Sequence, residues 1–353
     1  MSTSNNRLKA EWERQQATLL CWPNTQSDWR PNLRDAESTY GEIIAQISRF
    51  QRVLCLCQDS QTQSRAQRVL EEKDATASNI SFAILPTNDT WCRDYGPISV
   101  ATKSGLTLLD FQFNGWGEKY DYELDDQITA SLFHTQLSNQ PRYQAIEYIL
   151  EGGSIENNGD GLLITTSTCL LNKNRNNLSK TKTEALFAQW FGTKHTLWLD
   201  TPGLEGDDTD AHIDTLVRFI DPHHLLYQQC QNPKDPHFKP LQRLEAQLKQ
   251  QIETAQLPLK LTPLPLPSPR YSTLNPKQPR QRLPASYANF LFINDALLLP
   301  TYGVAEDDLA VALFQEMCPE REIIPIDCQA LIEQSGSLHC IAMQLYNTPQ
   351  LTD

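Results

Sequence analysis

Short apolar runs bounded by turn residues recur along the chain. Between them lie longer stretches with an apolar residue every three or four positions. The runs at 18–22, 53–57, 82–85, 106–109, 162–165, 196–199, 290–293, 297–299 and 323–326 predict strands. Residues 32–50 predict a helix, because Leu33, Ala36, Tyr40, Ile43, Ile44, Ile47 and Phe50 fall on one stripe. Further helices are predicted at 62–73, 125–133, 179–191, 240–254 and 307–317. Strand and helix alternate, so the fold class is α/β. No Gly-x-Gly-x-x-Gly follows a strand and no Walker-type loop occurs, which leaves a nucleotide site unsupported.

Residues 257–284 break the pattern with eight prolines: Pro258, Pro263, Pro265, Pro267, Pro269, Pro276, Pro279 and Pro284. Such a segment is neither a helix nor a central strand. It reads as a long surface loop shielding a site, in preference to a domain linker, because motifs with chemistry lie on both sides of it. No internal sequence repeat is visible, which leaves open a structural repeat beneath diverged sequence.

Composition narrows the function classes. The chain has 353 residues, 39% hydrophobic and 21% charged, which is globular rather than disordered. Its formal net charge of −13 argues against nucleic acid, whose phosphates need Lys and Arg, and favours a cationic ligand. Solubility alone would explain the same acidity. No apolar run approaches a membrane span, and the polar first ten residues lack a signal-peptide core. Nine cysteines cannot all pair within one chain, and none shows Cys-x2-Cys zinc spacing. The expectation is a reducing, cytoplasmic compartment with buried thiols, no metal and no cofactor.

Four motifs carry candidate chemistry. His212 and Asp214, two apart, would share one face of a strand, the His as proton carrier and the Asp as partner for a cation. The acidic stretch Glu205-Gly206-Asp207-Asp208-Thr209-Asp210 precedes them, and alone would suit a solvated turn or a calcium loop. Trp91 offers a face to a planar cation, and Asp94 could grip two guanidinium N–H groups as a fork. A structural Arg93–Asp pair with a core Trp91 is the competing reading. Glu151 stands before Gly152-Gly153, which allow positive φ or close approach. Cys340, in a predicted strand after a Gly-Ser turn, is a soft nucleophile once ionised. His339 would alternate to the opposite strand face and is not taken as the base. Each motif alone has a plain structural explanation. Together they suit attack on a small, flat, positively charged group.

In this order the motifs resemble the agmatine deiminase family of the guanidine-modifying pentein superfamily. The likeness runs from Glu11-Trp12-Glu13 and Cys21-Trp22-Pro23 through Trp91–Pro97, Phe113-Asn114-Gly115-Trp116-Gly117 and Glu151-Gly152-Gly153-Ser154. It continues through Cys169-Leu170-Leu171-Asn172-Lys173-Asn174-Arg175-Asn176 and Gly206–Asp214 to Leu338-His339-Cys340. The resemblance implies one catalytic domain over 1–353, a five-bladed pseudo-symmetric α/β propeller of ββαβ-type units. It implies Cys340 as nucleophile, His212 as general acid/base, and Asp94 and Asp214 as guanidinium-gripping carboxylates. Glu151 would help hold the guanidinium and orient His212, Trp91 would line the substrate, and Asp208 would meet its distal amine. It implies no cofactor and a small guanidine partner such as agmatine, with a homodimer left open. The run Ser335-Gly336-Ser337 departs from the Gly-rich run that the family commonly carries there. The competing functions are deimination of arginine or peptidyl-arginine, non-catalytic guanidine or polyamine binding, and, more remotely, thiol proteolysis.

Overall fold

The computed structural model describes residues 6–135, 142–274 and 281–346. Among these, strands group into five sheets that repeat one connectivity: an antiparallel pair, a helix, then a third strand parallel to the second. The first such set is Ile98–Thr102, Gly105–Gln112 and Arg142–Ile149. The next are Ile155–Asn157, Leu162–Thr166 and His195–Leu199, then Val217–Asp221, His224–Gln229 and Lys260–Pro265. Leu291–Ile293, Ala296–Thr301 and Glu322–Asp327 form the fourth. In the fifth, Ala342–Leu345 near the end of the chain pairs with Ala17–Cys21 near its start, which runs parallel to Arg52–Cys57. The crossover helices are Ile128–Thr135, Lys180–Phe191, Phe238–Thr254, Glu306–Met317 and Leu33–Ser48.

The predicted strands were mostly the second and third members of these sets. The reason is burial. Leu162–Thr166 is buried at every position, as a strand covered on both faces should be, and reads as an unbroken apolar run. Of the first members only Leu291–Ile293 was among the predicted runs; the others, such as Ile155–Asn157, are short or mixed in polarity. The proline-rich segment divides: Lys260–Pro265 is an edge strand, pairing only with His224–Gln229, so Pro263 and Pro265 need no donor on their outer side. Pro276 and Pro279 lie outside the described residues.

Just before each first strand the chain makes a tight turn: Cys92–Tyr95, Gly152–Ser154, Ile213–Thr215, Tyr287–Asn289 and the turn at 338–341. The first four touch in succession. The ring closes where the His339 amide donates to the Asn289 carbonyl at 3.2 Å and the Arg93 amide donates to the Cys340 carbonyl at 3.2 Å. Residues far apart in sequence are thereby brought to one centre.

Candidate active site

The strand expected for His212-Ile213-Asp214 is not there. His212 precedes the 3-10 turn Ile213–Thr215, and the strand begins only at Val217. Cys340 likewise sits in a turn, and its strand is Ala342–Leu345. Alternation therefore does not separate His339 from Cys340: His339 Nδ1 lies 2.7 Å from Asp214 Oδ2, and the Cys340 sulfur lies 4.0 Å from the same oxygen.

Trp91, Asp94, Asp208, His212, Asp214 and Cys340 line one cavity of about 590 Å³. Six of the seven residues expected from sequence thus meet. Glu151 does not line it. It is fully buried behind His212, its carboxylate held by Arg175 Nε at 2.9 and 3.1 Å. Arg175 also reaches Asp210 at 2.8 Å, tying the Glu151 turn to the loop that carries His212.

That loop is strained. Asp210 and Ala211 both have left-handed backbone, with φ of 66° and 68°. Asp207 holds it by accepting from the Ala211 amide at 2.7 Å, and the Thr166 hydroxyl donates to the Ala211 carbonyl at 2.8 Å. Trp116 is also left-handed, at φ 56°, and its indole N–H donates to Asp94 Oδ2 at 3.0 Å. The other Asp94 oxygen accepts from the Gly153 amide at 2.9 Å and lies 3.7 Å from His212 Nδ1.

The glycines serve close approach, not positive φ. A Cβ on Gly153 would stand 2.7 Å from His212 Nδ1, 2.9 Å from Asp94 Oδ1 and 3.1 Å from Asp214 Oδ2. Gly153→Ala is therefore expected to cut kcat/KM by about a hundredfold or more, the scale on which an ångström of misplacement acts. Steady-state kinetics with a circular-dichroism check on folding measures it. Gly336 is similar: a Cβ there would meet the Trp91 ring at 2.2 Å, so the departing Ser335-Gly336-Ser337 run keeps the one glycine that Trp91 requires.

Electrostatics follow from burial among carboxylates. Burial, then repulsion by Asp214 and Asp94, pushes the Cys340 thiol well above the ordinary thiol range. Burial also opposes protonation of His212, but the nearby Asp94 charge, Cys169 and Glu151 outweigh it and raise its proton affinity. Burial raises Asp94 to about 6, with His212 pulling down and Asp214 pushing up. Asp214 is held below its usual range: burial works against this, and the hydrogen bond and charge of His339 prevail. His339 also meets Glu11 Oε2 at 2.7 Å, so its two contacts need two protons among three groups. Burial and the charges of Arg218 and Arg93 lower the ring's own affinity.

Glu151, Cys169 and His212 present ligand atoms within 4.8 Å of one another. This is a support for His212 and a poor metal site, because the Arg175 guanidinium already occupies the carboxylate and burial and Glu151 hold the Cys169 proton on. Of the supporting residues, Arg175 and Trp116 stood within runs that carry the resemblance, but no role was read for either. Asn289, whose Oδ1 lies 3.5 Å from the Cys340 sulfur, stood in the run Arg282–Phe290 that also carries the family resemblance, but no role was read for it.

A thiol, an imidazole and paired aspartates thus line one acidic cavity. The family model for Porphyromonas-type peptidyl-arginine deiminases matches residues 7–345, and the chain belongs to that family. It is 30% identical to an agmatine deiminase of Stutzerimonas stutzeri, over 96% of this chain and 94% of that one. It is 29% identical to one of Pseudomonas aeruginosa, over 96% and 95%. Among solved structures, a cysteine-to-serine variant of C. jejuni agmatine deiminase with substrate bound is 35% identical, covering 99% of this chain and 98% of that one, with a TM-score of 0.89. An amidinotransferase at 11% identity and TM-score 0.50 shares the fold alone.

Proposed function

We infer that this protein hydrolyses the guanidinium of agmatine to N-carbamoylputrescine and ammonia, through a covalent intermediate on Cys340. The observation that carries this is the lining of the cavity: Asp28, Asp89, Asp94, Asp207, Asp208 and Asp214, with no Lys or Arg among the described residues. Agmatine is cationic at both ends. Free arginine brings a carboxylate that would be buried among these acids without a partner, at a cost of about 3 kcal/mol or more.

In this reading Asp94 and Asp214 grip the guanidinium nitrogens and concentrate positive character on the central carbon. Trp91 and Trp116 wall its flat faces, and Asp208 meets the distal amine. Entry of the cation offsets the carboxylate repulsion on Cys340, and the thiol proton leaves to solvent. The thiolate forms a bond to the carbon. His212, protonated, gives its proton to the departing nitrogen, the C–N bond breaks and ammonia leaves. Neutral His212 then takes a proton from water, and the oxygen adds to the planar thiouronium carbon. The C–S bond breaks as the adduct's hydroxyl proton passes to the sulfur, releasing the ureido product and restoring the thiol. The two-step route replaces one hard hydrolysis by two easier ones. Glu151, from behind, holds His212 in its charged state.

The scaffold in this reading is a five-bladed propeller of ββαβ units forming one domain over 1–353. Support comes from the shared strand connectivity and the closed ring of five turns at its centre. Nine unpaired, buried cysteines suit a reducing compartment such as the cytoplasm. No helix among the described residues is long and apolar enough to cross a membrane.

A substrate panel tests the function: agmatine, free arginine and an arginine peptide, with ammonia and ureido product assayed together. Agmatine is expected to exceed free arginine in kcat/KM by about a hundredfold or more, the ratio that roughly 3 kcal/mol confers. Efficient turnover of arginine with agmatine untouched would overturn the assignment. The pH dependence is a second check. Burial raises both Asp89 and Asp94 to about 6, so these groups are charged above that pH and neutral below it. The KM for agmatine is therefore expected to rise as pH falls through about 6. A flat KM between pH 7 and pH 5 would contradict the charge assignment.

A further inference from the structure

The ring of turns has a second side. Where Asp94 and Cys340 face the acidic cavity, their neighbours Arg93 and His339 line a different one, of about 540 Å³. Ser99, from the strand Ile98–Thr102, and Gln344, from the strand Ala342–Leu345, line it as well. Two carboxylates also border it, but both are already engaged. Glu11 accepts from Arg218 at 2.8 Å, from the Phe292 amide at 2.8 Å and shares a proton contact with His339 at 2.7 Å. Glu156 accepts from Arg218 at 3.0 Å and the Phe219 amide at 2.9 Å.

What is left over is donors. Arg93 Nη2, Gln344 Nε2 and Ser99 Oγ are buried and make no hydrogen bond among the described residues. The nearest carboxylate to Arg93 is Glu11, at 3.8 Å. Its other groups reach only the His339 carbonyl at 3.3 Å and the Met343 sulfur at 3.7 Å. A buried guanidinium with so little compensation is costly, and so is each orphaned donor. In the acidic cavity the unpartnered atoms among the described residues are Asp214 Oδ1, an acceptor, and His212 Nε2.

We propose that the cavity lined by Arg93, Ser99 and Gln344 is a binding site for a small monovalent inorganic anion, separate from the substrate cavity. The anion accepts from the guanidinium, the amide and the hydroxyl. It stands behind Asp94 and Cys340 and contacts neither.

Thermal unfolding of the full chain tests this, with sodium gluconate replaced stepwise by sodium nitrate at constant ionic strength. Nitrate is small and planar, whereas gluconate is a bulky, flexible chain and serves as the reference anion. The midpoint is expected to rise with nitrate and to saturate. Ser99→Ala combined with Gln344→Leu is expected to weaken the response about tenfold or more, as loss of hydrogen bonds to an anion should. A nitrate response unchanged in the double variant would overturn the proposal, as would no response in the unaltered protein. Should the double variant not fold, crystals of the unaltered protein grown in bromide decide. An anomalous peak within hydrogen-bonding distance of Arg93 Nη2 is expected, and a featureless cavity would overturn the proposal.

Discussion

Cys340→Ser is expected to reduce agmatine turnover by about 10⁴-fold or more, the scale on which removal of a catalytic nucleophile acts. The fold is expected to persist, because the sulfur's contacts to Asn289 at 3.5 Å and Asp214 at 4.0 Å are long ones that a hydroxyl can occupy. A serine hydroxyl ionises far less readily than a thiol, and in this cavity the aspartates oppose either ionisation. The same repulsion gives a second readout. Without substrate, iodoacetamide is expected to alkylate Cys340 slowly at neutral pH, with a rate that climbs as pH rises through and beyond the ordinary thiol range. Digestion and mass spectrometry isolate this site from the other eight cysteines, all buried. Fast, pH-independent alkylation between pH 6 and pH 8 would show a thiolate already present in the free protein.

Asp214→Asn is expected to lower kcat/KM by about 10³-fold, which corresponds to roughly 4 kcal/mol, the range for removing one charge from a buried pair. Asp214 is fully buried, with Oδ2 bonded to His339 and Oδ1 making no hydrogen bond among the described residues. The substitution keeps the shape and an acceptor for His339, so most of the loss should fall on the substrate complex. Unfolding curves separate the alternatives. A purely structural Asp214 would lower the midpoint while leaving kcat/KM of the folded protein near its original value.

Much of the fold was written in the apolar runs, because strands such as Ala17–Cys21 and Leu162–Thr166 are covered on both faces and their sequence shows it, whereas His224–Gln229 went unread. The helix Phe238–Thr254 was equally legible, with Leu241, Leu244 and Leu248 buried at helical spacing. Most first strands were not: Ile155–Asn157 has three residues, only one of them apolar. The site was legible as a set of residue types and obscure as geometry. Ile213, Leu216 and Val217 supply apolar positions that imitate a strand around His212 and Asp214, and nothing in the sequence announces that non-glycine residues Asp210 and Ala211 turn left-handed to aim them. Glu151 carried the same ambiguity. A carboxylate after a buried strand reads as a ligand group, and only its pairing with Arg175, 24 positions on, places it behind the imidazole. His339 was set aside on strand alternation, which a turn does not obey.

The most direct test is a rapid acid quench of the protein mixed with agmatine, followed by intact-mass and peptide analysis. The expected result is an adduct with the mass of agmatine less ammonia, confined to the peptide carrying Cys340. Ammonia and ureido product formed at the normal rate with no adduct on that peptide, or an adduct on another cysteine, would contradict the account.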